Sequence, residues 1–107
     1  MSTPGRFPAK PDAAVDTGRA ALRRGELEDA QASFRAALEG RESAEAHEGL
    51  AFSSWYLGDS ETALKAFERA YELYHSGGDR VSAARVFVSS VATLHRIPAH
   101  PSGLITE

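Results

Sequence analysis

The chain has 107 residues, 42% of them hydrophobic and 25% charged, with a net charge of −3 and no cysteine. That length holds one domain with a modest core, and the composition is that of a folded rather than a disordered chain. The missing thiols exclude a disulfide framework, a thiolate zinc site and a cysteine nucleophile, and the acid excess argues against a sequence-independent grip on nucleic acid.

Residues 1–10 place Pro4, Gly5 and Pro8 among small polar residues and read as a disordered leader. They contain no apolar h-region, so no signal peptide is expected and the expected location is the cytoplasm. A first helix is expected from Asp12 to Arg24, opened by Pro11-Asp12 and stopped by Gly25 in a left-handed cap. Leu27, Ala30, Phe34, Ala37 and Leu38 then form one helical stripe that Gly40 closes. Ser43 caps a third helix containing Leu50, Ala51, Phe52, Trp55 and Leu57, ended by Gly58. Asp59 or Ser60 caps a fourth, with the stripe Ala63, Phe67, Ala70, Tyr71 and Tyr74, and Ser76-Gly77-Gly78-Asp79 breaks it.

A fifth helix is expected from Arg80 to Arg96. Its run Arg85–Leu94, rich in β-branched residues, passes locally for a strand, but the chain offers no sheet for a strand to join. Pro98 and Pro101 are expected to end it, leaving 98–107 as an irregular tail after a domain spanning 11–97. No apolar stretch approaches the ~20 residues of a membrane helix.

Two of these segments are copies. Gly25, Ala30, Phe34 and Ala37 recur as Gly58, Ala63, Phe67 and Ala70 after 33 residues. A period of this size with two helices per unit marks stacked helix hairpins, the small residues allowing close approach and the phenylalanine filling the gap. Phe52-Ser-Ser-Trp55 aligns in turn with Val88-Ser-Ser-Val91 at a spacing of 36, as if the fifth helix began a third unit.

On these residues the chain resembles the tetratricopeptide repeat family over 11–96. Gly18 and Ala51 match its small first-helix position and Leu50 the apolar residue before it. The usual early aromatic is replaced by Ala14 and His47, and the terminal proline by Glu42 and His75. The resemblance implies an all-α fold: about two and a half repeats, five helices, antiparallel hairpins in a short right-handed solenoid. More narrowly, Ala46-His-Glu-Gly-Leu-Ala, Trp55-Tyr-Leu-Gly-Asp and Ala70-Tyr-Glu-Leu-Tyr-His-Ser-Gly-Gly-Asp-Arg-Val-Ser-Ala-Ala-Arg-Val86 are similar to repeat regions of bacterial LuxR-type transcriptional regulators. Nothing here encodes their DNA-reading helix-turn-helix.

In such arrays the first helices line a concave face. The resemblance puts Val15, Arg19, Leu22, Glu45, Glu48, Phe52, Trp55, Ala84, Val88 and Val91 there, a groove for a peptide or helix of a protein partner, with Trp and Phe as anchors and charges at the rim. No catalytic residue, cofactor or metal is expected. His47, His75, His95 and His100 lack the spacing that puts two ligands on one helical face, and no base and orienter accompany the serine pairs. The fifth helix is apolar over most of its circumference. Its stripe Ala83, Phe87, Ser90, Leu94 beside Val81, Ala84, Val88, Val91 points to self-association through Phe87, Val91 and Leu94, most simply a homodimer. A homodimerisation domain, or a piece of a longer repeat regulator, is the alternative reading.

Overall fold

A computed structural model describes residues 11–102 of the chain, with side-chain burial from Ala13 to Thr93. Five helices follow one another: α1 (Pro11–Arg23), α2 (Leu27–Gly40), α3 (Ala44–Tyr56), α4 (Ser60–Ser76) and α5 (Arg80–Ser102). No strand occurs among the described residues. The fold is all-α.

The helices begin where side chains satisfy free backbone donors. Ser43 Oγ accepts from the Ala46 N–H at 3.1 Å, and Asp59 and Asp79 Oδ1 accept from Thr62 and Ser82 at 3.2 and 3.0 Å. Three of the helices end in one way. The backbone turns left-handed at Gly25, Gly58 and Gly78 (φ +77°, +89°, +84°). The following residue then donates back to the helix: Glu26 to Ala21, Asp59 to Ser54, Asp79 to Tyr74, at 2.8–2.9 Å. These tight turns send each helix back against the one before it.

Each helix packs on the next, and α1 also reaches α3. The two copied stripes form the core: Ala30, Phe34, Ala37, Phe67 and Ala70 are wholly buried, as is Ala63. Phe34 of α2 is the ring around which α1 and α3 close. A Cβ built on Gly18 would stand 2.8 Å from its Cζ, and one built on Gly49 would overlap Cε1 and Cζ. Burying a ring of this kind contributes about 1.5–3 kcal/mol. Ser53 and Ser54 are buried in the same layer, Ser53 Oγ donating to the Gly49 carbonyl and Ser54 Oγ accepting from Gln31 Nε2, both at 3.0 Å.

Two expectations concern the ends. The readings of residues 1–10 and 103–107 lie outside the described residues. The expected stop at Pro98 is corrected: α5 continues through Pro98 and Pro101 to Ser102. A proline removes its own N–H bond and bends a helix, but its neighbours keep theirs, so the backbone holds its helical path.

Candidate functional site

Three partly uncovered aromatics, Phe52, Trp55 and Tyr56, gather on α3. Phe52 is half-buried, its ring meeting Phe67 edge-on at 5.1 Å and stacking on Tyr56 at 6.5 Å. Tyr56 is 59% exposed and Trp55 half-buried. Two hollows open on these rings. One, of about 340 Å³, lies between α1 and α3 and is lined by Arg19, Leu22, Arg23, Phe52 and Tyr56. The other, of about 170 Å³, lies between α3 and α5, against Phe52, Trp55, Tyr56, Ser89, Ala92 and Thr93. Phe52 and Tyr56 line both, so the surface runs on across three helices.

Arg19, Leu22, Phe52 and Trp55 therefore come together on this surface, while other expected members do not. Val15 is 5% exposed and belongs to the core. The α5 side of the second hollow is formed by Ser89, Ala92 and Thr93 in place of Val88 and Val91. The reason is the rotation of α5. It buries Ala83, Val86 and Thr93, which leaves Val88 65% exposed, Ala84 exposed and Val91 half-buried. Tyr56, absent from the expected set, completes the groove. Its signal in the sequence is the spacing of four from Phe52, which stacks two rings on one helical face.

Glu48 is also placed differently from an open rim. Its carboxylate accepts from Tyr74 Oη at 2.8 Å and from Arg85 Nη2 and Nε at 2.8 and 3.2 Å. The guanidinium lies 5.7 Å from the Tyr74 ring centre. One acid thus ties α3 to α4 and α5. Burial, then the Glu48 carboxylate, push the Tyr74 phenol well above its ordinary range. Glu45 stays exposed.

A second clasp holds the α2–α3 connection. Glu42 accepts from Arg69 Nε and Nη2 at 2.8 and 2.9 Å, and Arg69 also pairs with Glu72 at 2.9 Å. His47 Nε2 lies 2.8 Å from Glu42. Arg69 and then His47 hold the Glu42 carboxyl down at about 2. Of the other histidines, His75 stacks on Tyr71 at 5.7 Å, and the side chains of His95 and His100 lie outside the described residues. Among the described residues no three His, Asp or Glu side chains gather as a metal site, and no helix is long and apolar enough to cross a membrane.

Arg19 and Arg23 line the α1 end of the aromatic surface and bring two positive charges to it. The groove offers shape, apolar rings and a basic edge. No family model, no curated protein and no solved structure matches the chain.

Proposed function

We propose that the chain is a non-catalytic protein-recognition module that takes a peptide or helix of a protein partner across α1, α3 and α5. The reading is supported above all by the run of Leu22, Phe52, Trp55 and Tyr56, apolar surface left partly open between well-packed helices. Aromatic side chains in a shallow groove are the residues that most often anchor an interface, because they bury a large area at little entropic cost. The preferred occupant has apolar side chains for the two hollows and a carboxylate for Arg19 and Arg23.

The repeated Gly–Ala–Phe–Ala units and their resemblance to tetratricopeptide repeats favour the same mode of action, with α1 and α3 as first helices. The narrower similarity over Ala46–Val86 points to a setting in bacterial transcriptional regulation.

Trp55 is the only tryptophan in the chain, so its emission reports on the groove directly. Peptides selected from a random display library against the full chain should shift that emission. Their binding should weaken more on Trp55→Ala or Tyr56→Ala than on Glu45→Ala. Selected peptides that leave the emission unmoved and bind Tyr56→Ala as they bind the parent would place recognition elsewhere.

A further inference from the structure

The two terminal helices differ in what they expose. α1 exposes Ala13, Asp16, Thr17, Arg19 and Arg23, a polar surface. α5 exposes Val81 at 79%, Val88 at 65% and Phe87 at 56%, with Ala84 beside them. The Phe87 ring stands 6.1 Å from that of Tyr71. Together they flank a groove of about 390 Å³ between α4 and α5, lined also by Leu64, Phe67, Glu68 and Ser90. A protruding apolar ridge and an apolar groove thus adjoin on one face, away from the aromatic surface on α3.

We infer that this face binds a second copy of the chain in a two-fold dimer, the α5 ridge of each copy lying in the α4–α5 groove of the other. Three observations choose this occupant. First, ridge and groove on one face are self-complementary, which is what an isologous interface requires. Head-to-tail stacking would instead set the apolar ridge against the charged surface of α1. Second, α5 contains no acidic residue, whereas α4 brings Glu68 to the groove. Glu68 and Arg80, which shares a helical stripe with Ala84 and Phe87, make no ion pair among the described residues. An antiparallel pairing carries Arg80 of one copy toward Glu68 of the other. Third, the area suffices. A face two helices wide and ~25 Å long, the length of α4, covers about 500 Å² on each copy, so about 1,000 Å² in all, the lower bound of a specific interface. The inference is independent of what the α3 groove binds. Val91 and Leu94 were the other residues expected here; Val91 is half-buried, and the Leu94 side chain lies outside the described residues.

Sedimentation velocity of the full chain from low to high micromolar concentration tests it. The parent should reach twice its 11.5 kDa mass and no more. Val81→Glu/Phe87→Glu should remain at the single mass with unchanged helical circular dichroism, and Trp55→Ala should still dimerise. Should the double variant lose its helical signal, Glu68→Arg alone, an exposed change, should weaken the dimer several-fold, and adding Arg80→Glu should restore it. A parent that stays monomeric throughout, as it would if another protein or another segment of the chain covered the face, overturns the proposal. So does growth beyond two copies, a folded Val81→Glu/Phe87→Glu chain that still dimerises, or a Glu68→Arg chain that dimerises as the parent does.

Discussion

The Phe34 ring occupies the space that a side chain on Gly49 would need: a Cβ there would overlap Cε1 and Cζ. The glycine lies in the middle of α3, where it weakens the helix by roughly 0.5–1 kcal/mol relative to alanine. Close approach of α3 to α2 offsets that cost. Gly49→Ala is therefore expected to destabilise by about 1–3 kcal/mol in spite of its better helix propensity. Phe34→Leu should destabilise on its own, but in a Gly49→Ala background part of that cost should vanish. Additive effects of the two changes in a denaturation cycle would mean that ring and glycine do not meet.

Phe67 holds the same place in the second copied stripe and is wholly buried. Phe67→Ala should cost ~3–5 kcal/mol as a large-to-small change in a core with little room to collapse. Ala30→Glu, at a wholly buried position, should be at least as damaging. A Phe67→Ala chain melting within a degree or two of the parent would contradict the packing.

Glu42 gives the chain an acid limit. Its carboxyl is held at about 2 against an ordinary 4.5, so the folded state favours the ionised form. The stabilisation is complete above the ordinary value and is lost as pH falls from there toward the folded value. Melting temperature should decline through that window, and Glu42→Gln should flatten the decline. An unchanged profile in Glu42→Gln would assign the acid sensitivity to Asp59 and Asp79, whose carboxyls are also lowered, by their capping bonds to Thr62 and Ser82.

Tyr74 gives an alkaline limit of opposite sign. Its phenol is raised above the ordinary 10.0, because burial and the Glu48 carboxylate disfavour the phenolate. The stabilisation is complete below that value and is lost as pH climbs past it. Tyr74→Phe should keep most of the stability at neutral pH and reduce its loss at high pH. Glu48→Ala should cost about 1–2 kcal/mol at neutral pH by leaving the Tyr74 hydroxyl and Arg85 without their acceptor.

Helix starts and stops were legible residue by residue, because a cap or a left-handed turn is a local event. Ser43, Asp59 and Asp79 announce themselves by type and position, as do Gly25, Gly58 and the Gly77-Gly78 pair. The copied stripe was legible for a related reason, since a repeated core position must repeat its residue. Pro98 shows where local reasoning stops. A proline lowers helix stability without deciding it, and the run on either side carried α5 to Ser102.

What the sequence by itself determined was the set of five helices and the residues that seal them. The tertiary structure decided how far α5 turns about its axis, and so which of its apolar stripes meets the core. A helix apolar nearly all round has no preferred inward face of its own. Packing against α4 chose Ala83 and Val86, leaving Val81 and Val88 outside. The same packing brought Glu48, Tyr74 and Arg85 into one clasp and set Gly49 beneath Phe34. No spacing within a single helix encodes such meetings, because each depends on the distance and rotation between helices.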